Sequence, residues 1–279
     1  MNFSGNFSKK NQASDWVRWI KKPELNKPEL FIIWEKIPGR IGEAAFRAIN
    51  EKIGLDCIGE IIPQIFYPLN GVDIENDVAY IPHNRFYYSP QLNLVIFKGY
   101  EPQVNHYRFI EVIVDYLCPE LSISVLYTLN GFVANISYNV TRKLWAVYNE
   151  NKMKEQMSNY GLYNLTYEGT PAVSSYLLYE AKKRNLLGMS LWCEIPFYLA
   201  LVDDFQMQRV VLQFLKNKFD LDFNLVAVDR LCEEQKEKIL NLRLKDKKVD
   251  QYLWSIEMNI ALSQEESLYL TNKILEELR

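Results

Sequence analysis

The sequence predicts an α/β protein in which a largely parallel sheet carries helices on both faces, and three observations lead there. Four short apolar runs, LFIIW (30–34), LNLVIF (92–97), SISVLYTLNG (122–131) and GMSLWCEIP (188–196), have the character of strands covered on both sides. Helical patterns with one apolar stripe fall between these runs, the alternation that parallel strands need for their crossovers. Finally, 48% of the 279 residues are hydrophobic, enough to fill a core on each face of such a sheet.

Each element follows in order. Residues 1–27 form a polar tail in which Trp16, Trp19 and Ile20 predict one short helical turn against the body. The run 30–34 opens the core. GRIGEAAFRAINEKIG (39–54) reads as a turn and a helix, with Ala44, Ala45, Ala48 and Ile49 facing inward and Gly54 as the stop. Between residues 55 and 88, CIGEII, VAYIP and RFYY alternate with Pro, Asn and Gly, which predicts short strands or a hairpin on the sheet margin. The loop KGYEPQ (98–103) leads to a helix carrying Phe109, Val112, Ile113, Tyr116 and Leu117 on one stripe. The run 122–131 is expected to end in an Asn-Gly turn. The polar stretch NENKMKEQMSN (149–159) reads as a solvated helix.

Thr170 is positioned to cap the next helix, with Pro171 as its first residue and Val173, Leu177 and Ala181 facing inward. After the strand at 188–196, Met207, Val210, Val211, Phe214 and Leu215 repeat the helical core spacing. From Cys232 onward only helical patterns remain, and Ser263 with Glu266 forms a capping box. This divides the chain into a tail (1–27), an α/β domain (28–231) and a helical extension (232–279). The extension either covers one face of the sheet or mediates self-association. Strand ends at Trp34, Phe97, Leu129 and Trp192 should lie along one edge, where open α/β sheets present their loops.

The charge balance, 32 Lys plus Arg against 35 Asp plus Glu, leaves no basic stripe to neutralise phosphates, so nucleic acid is excluded as a partner. Cys57, Cys118, Cys193 and Cys232 lack CxxC spacing and read as reduced core thiols rather than disulfides or zinc ligands. No run is long enough to span a bilayer and the first residues contain no apolar signal core, so a cytoplasmic protein away from membranes is expected. The N-x-[ST] triplets at Asn2, Asn6, Asn135, Asn139 and Asn164 then carry no glycosylation meaning.

Candidate chemistry concentrates at the predicted strand ends. The turn PGRIGEA (38–44), with Gly39, Gly42 and Glu43, could hold an anion at a helix N-terminus, but it lacks the lysine of a phosphate loop, and Glu43 would repel a phosphate. Glycines there serve backbone geometry. Glu35, Glu101, Glu168 and Glu194 fall at or just beyond strand ends, where a gathered set could raise one pKa or bind a hard cation; solvated or capping carboxylates are the plainer reading. His106, one of two histidines with His83, lies in a first helical turn. Cys193 is the one thiol expected near the mouth, without a histidine to activate it, and GxSxG is absent. Tyr87, Tyr88, Tyr100, Tyr107, Tyr127, Tyr138, Tyr167 and Tyr198 cluster near strand ends, either as rings at the core boundary or as an interface.

Taken in order, LFIIW, GEAA, KGYEPQ ahead of Arg108 and Phe109, YTLNG, YEGT and SLWCEIPFYLA resemble the bacterial branch of the PAC2 family, the proteasome assembly chaperone 2-like proteins. The resemblance implies a three-layer α/β/α sandwich with a mostly parallel central sheet, phosphorylase- or hydrolase-like, and homo-oligomers such as trimers. Chaperone relatives in the archaea can end in hydrophobic-Tyr-any, whereas Glu277, Leu278 and Arg279 stand here, which sets that docking route aside. The expected function is non-enzymatic and cofactor-free: self-association and binding of a protein client, as in assembly chaperones. Its cleft or interface would comprise Gly39, Gly42, Glu43, Glu101, Pro102, Gly131, Tyr167, Glu168, Gly169, Glu194, Pro196 and Tyr198. The alternative is a small-molecule-binding protein or enzyme on a nucleoside-phosphorylase-like scaffold that uses the strand-end carboxylates.

Overall fold

The computed structural model describes residues 13–67, 73–75, 77–80 and 83–279. The polar stretch at 1–11 lies outside them, as do Ile81 and Pro82 of VAYIP. In chain order the elements are β1 (Val17–Trp19), β2 (Glu29–Trp34), α1 (Ile41–Ile53), β3 (Asp56–Ile61), β4 (Asp73–Glu75), β5 (Val78–Tyr80), β6 (Asn84–Ser89), β7 (Leu94–Gly99), α2 (His106–Glu111), α3 (Cys118–Glu120), β8 (Val125–Ala134), β9 (Leu144–Tyr148), α4 (Asn151–Gln156), β10 (Tyr163–Asn164), α5 (Val173–Lys183), β11 (Leu187–Pro196), α6 (Phe205–Phe219), α7 (Leu225–Lys245), α8 (Lys247–Glu257) and α9 (Gln264–Leu278).

The main sheet runs β1-β3-β6-β7-β2-β8-β11-β9-β10. Its centre, β7-β2-β8-β11, is parallel, while β1, β3 and β6 on one margin and β9 on the other run antiparallel to their inner neighbours. The chain lays down β2, crosses to β7 on one side and returns to β8 on the other, so the order reverses between β2 and β8. Alternation along the strands builds two cores. Phe31, Ile33, Tyr127, Leu129, Leu191 and Cys193 face one side, against Ile41, Ala45 and Ile49 of α1 and Met207, Val211 and Leu215 of α6. Leu30, Ile32, Trp34, Leu126 and Phe97 face the other, against Phe109, Ile113 and Leu117 and, from α5, Leu177 and Leu178. These central strands are apolar on both faces because both faces are covered.

The C-terminal helices join the first core through Ile239, Leu242, Val249, Leu253, Ile256, Leu270 and Ile274. They pack on α6 and on the turn at Phe197–Leu199. Asp246 accepts from Lys248 N–H at 2.9 Å, Val249 N–H at 3.2 Å and Tyr269 O–H at 2.8 Å, which fixes the sharp bend between α7 and α8 and ties it to α9. The junction at 231/232 falls inside α7.

Several local expectations need correction. Trp16 does end a short helical turn, but Val17–Trp19 extends and pairs with β3, because Val17 and Trp19 alternate with outward Arg18. Asn130 and Gly131 are not a turn: β8 runs through them to Ala134, since the Asn130 amide is buried and bonded in place. Helix α5 starts at Val173 with Ala172 as its uncapped N-cap, which leaves Thr170 exposed. The polar run at 149–159 forms only the short α4, with Met153 and Met157 buried beneath it. The stripe at 109–117 is helical but widens into a π turn at Val112–Leu117. Val78–Tyr80 pairs with Asp73–Glu75 in a separate ribbon.

Gly42 sits where α1 meets β2, and a Cβ there would overlap the Trp34 carbonyl oxygen and press on Ile33. Only glycine permits that approach. Gly42→Ala is therefore expected to cost about 1–3 kcal/mol, read as a fall in Tm of about 2–10 °C in thermal denaturation.

Candidate site at the strand-end rim

Register brings the predicted strand ends level. Ile33 pairs with Lys98 of β7 and Leu129 of β8, and Leu129 pairs with Leu191 of β11, so the loops after the four parallel strands leave one edge. Just beneath lies a buried polar network. Trp34 Nε1 donates to Ser174 Oγ at 3.1 Å, and Ser174 Oγ donates to Asn130 Oδ1 at 2.5 Å. Asn130 Nδ2 lies 2.8 Å from Ser190 Oγ, 2.9 Å from the Leu191 carbonyl and 3.0 Å from Thr128 Oγ1. Thr128 and Ser190 are themselves bonded at 2.7 Å. The network joins β2, β8 and β11 to the first turn of α5, and a buried amide so fully engaged holds one geometry.

Above it opens a groove of about 410 Å³, walled by Phe132, Val147, Leu165, Tyr167 and Trp192, with Thr170 and Ser175 supplying hydroxyls. Phe132 pairs with Glu194, and Trp192 with Trp145, on the sheet face that carries α5. Trp145 Nε1 donates to Glu194 Oε2 at 3.3 Å. The Lys143 ammonium stands 5.5 Å from the Trp145 ring centre and 5.7 Å from that of Tyr163, a cation held over two aromatic faces. Tyr167, 70% exposed, folds back over Gly169, where a side chain would strike its ring.

The twelve residues singled out from the sequence separate into three places. Tyr167 lines the groove, Gly169 and exposed Glu168 flank it in the same loop, and Glu194 borders it from β11. Glu101, whose carboxyl is pushed up by desolvation, and Pro102, buried, lie farther along, beyond β7. Gly39, Gly42, Glu43, Gly131 and Tyr198 belong to a closed corner on the other sheet face, and Pro196 ends β11 opposite Ala134 just before the turn that carries Tyr198. There Gly39 N–H donates to the Ala200 carbonyl at 3.0 Å, the Gly39 carbonyl accepts from Asp204 N–H at 3.1 Å, and Pro38 lies over Gly131. Glu43 Oε1 accepts from Lys36 N–H at 3.0 Å, and Tyr198 O–H donates to the Ile136 carbonyl at 3.2 Å. The Gly39 amide and carbonyl are thus both engaged within the protein.

The carboxylates are dispersed. Glu35 pairs with Lys98 at 2.6 Å and Glu194 with the Trp145 indole, and among the described residues no three Cys, His, Asp or Glu side chains are arranged to hold a metal ion. Cys193 is not at the mouth: one residue from Trp192, it points to the opposite face, is fully buried, and burial pushes its thiol far above the ordinary range. Cys118 is likewise pushed up to about 12 by burial. Tyr127, Tyr138 and Tyr198 are buried, whereas Tyr107 and Tyr167 are exposed. His83 and His106 are exposed.

Sequence reasoning missed Phe132 and Ser175, and it missed the ion pair that braces the rim from the α6 side. Arg142 Nε donates to Asp204 Oδ2 at 2.7 Å with both side chains inaccessible, and Arg142 Nη1 reaches the Val140 carbonyl at 2.8 Å. Asp204 Oδ1 caps α6 through Met207 N–H at 3.1 Å. Burial pushes the Asp204 carboxyl up, against the pull of Arg142. The available signal was Arg142 itself, the first charge after the uncharged residues 122–141.

A parallel four-strand core between two helical layers, ending in an aromatic rim, defines a three-layer α/β/α protein whose open surface lies at the strand ends. Residues 38–242 match the PAC2 family, and the chain belongs to it. No curated protein matches the sequence. Among solved structures, the chain is similar to PbaB of Pyrococcus furiosus, described as an archaeal proteasome activator, with TM-score 0.64 and 19% identity over 79% of this chain and 95% of that one. It is similar to a proteasome-assembly chaperone homologue of Mycobacterium tuberculosis, with TM-score 0.66 and 14% identity over 80% and 99% of the two chains. A PAC2 family protein of Streptomyces avermitilis matches with TM-score 0.66 and 16% identity over 81% and 99%. At these identities the likeness is one of fold.

Two measurements check this geometry. Asp204→Asn should leave Arg142 buried without its counter-charge and lower stability by about 3–5 kcal/mol, while Arg142→Met with Asp204→Leu should recover part of that loss in denaturant titration. Under native conditions a thiol reagent should label at most Cys57, the one cysteine that is not buried; rapid labelling of Cys193 would contradict the strand register.

Proposed function

We propose that this PAC2 family protein acts without chemistry of its own, associating with itself and presenting its strand-end rim to another protein in the manner of an assembly chaperone. The observation that carries this reading is the groove between Phe132, Tyr167 and Trp192, held open over a rigid polar network. Aromatic recesses flanked by hydroxyls are what protein interfaces use as anchor points. Family membership supports the same reading, since one similar structure is described as a proteasome activator and another, PbaA of Pyrococcus furiosus, as an archaeal homolog of proteasome-assembly chaperone. Four free cysteines fit a reducing, cytoplasmic setting.

A second reading is kept by the groove's size. At about 410 Å³ it lies within the range of small-ligand pockets, roughly 300–1,000 Å³. The strand-end carboxylates speak against acid–base work there, because Glu194 and Glu35 already have partners, Glu168 is exposed, and Glu101, whose carboxyl is pushed up by desolvation, follows β7 and does not line the groove. Affinity capture from the source cell, with wild-type protein and with Trp192→Ala as bait, separates the two. Loss of one aromatic anchor should reduce specific retention of a protein by about tenfold. Retention indifferent to Trp192, together with a rise in Tm on adding nucleosides, phosphates or divalent cations, would favour the small-molecule reading instead.

A further inference from the structure

We infer that the far half of β8 is an interface strand that pairs with the same strand of a second copy of this chain, an inference that rests on the self-association proposed above. Strand β8 is ten residues long and stays paired with β11 through Ala134, but its pairing with β2 ends at Leu129. Residues 131–134 therefore extend about 13 Å past β2, at about 3.3 Å per residue, and among the described residues no strand lies on that side. The chain leaving β2 does not fill the place. Pro38 and Ile37 lie over Gly131 in the direction a side chain would take, above the sheet face rather than along its edge, and Pro38 has no N–H to offer a ladder.

An open edge is a template for another strand, and edges that must stay single are guarded by charge, proline, bulges or brevity. The other two margins of this sheet are guarded. Strand β1 is three residues long and carries Arg18, which is paired with Glu60, and β10 has two residues. The β8 overhang has no such guard: none of residues 122–141 is charged, none is proline, and Val133 is 52% exposed. That composition favours a second copy as the occupant. Antiparallel pairing about a twofold axis sets each strand against itself, so a charge in the overhang would face its own like, and the uncharged sequence removes that penalty. The same axis brings the two Val133 side chains opposite or diagonal to each other.

The test compares wild type, Val133→Lys, Val133→Glu and an equimolar mixture of the two variants, by sedimentation velocity across micromolar concentrations. Melting followed by circular dichroism confirms that each variant is folded. Each variant alone should associate about tenfold more weakly than wild type, and the mixture should recover the loss through opposite charges. Hydrogen exchange on the unmodified protein gives an independent readout, in which those amides of residues 131–134 that point away from β11 should slow as concentration rises. Association that leaves these amides unprotected and ignores both substitutions would overturn the edge inference while self-association stands. A wild type that sediments as a monomer throughout would overturn both.

Discussion

The arrangement of this molecule depends on one buried side chain, the carboxamide of Asn130. Its oxygen accepts from Ser174 and its nitrogen is shared among Thr128, Ser190 and the Leu191 carbonyl, so a single residue on β8 fixes β11 laterally and α5 above. Trp34 completes the tie by donating from β2 to Ser174. A polar group in that position is costly unless every partner is present, so the network admits one alignment of three strands and a helix start. An apolar residue of similar size would permit neighbouring alignments.

The two sheet faces then take different work. The face toward α1 and α6 is thick, sealed by the C-terminal helices and by the buried Arg142–Asp204 pair, and its strand-end corner is closed by Gly39, Ala200 and Tyr198. The α5 face is left open at its strand ends, where the loop at 165–172 stands away from Phe132 and Trp192. Parity along the strands assigns these roles: odd residues of β11 build the sealed side, and the even residues Trp192 and Glu194 reach the open one.

Much of this was legible in the sequence. Short, mainly apolar runs alternating with helical stripes predicted a largely parallel sheet with helices on both faces, and the resemblance of the ordered motifs to the PAC2 family implied the three-layer α/β/α sandwich. The site was less legible. Proximity in sequence to a strand end placed Glu43, Cys193 and Tyr198 with Tyr167, but one residue of offset along a strand reverses the face, and a hydrogen bond such as that from Lys36 to Glu43 consumes a group that looks free. Asn-Gly read as a turn because local propensity favours one there; three hydrogen-bond partners distant in sequence, Ser174, Ser190 and Leu191, override it. Arg142 and Asp204 are 62 residues apart and could not be matched without the fold.

The position of β2 in the sheet bears on how the protein is made. It is the first of the central strands to leave the ribosome, yet both of its neighbours, β7 and β8, are synthesised later, and β8 in turn stays uncovered on its outer side until β11 emerges. The nascent chain therefore carries LFIIW, and then LYTL, as apolar ribbons lacking a neighbour until β8 and then β11 are made, an interval in which such segments are prone to stick to one another. Chains released before residue 196 would keep β8 without its outer neighbour, which makes synthesis through β11 a condition for shielding the central strands.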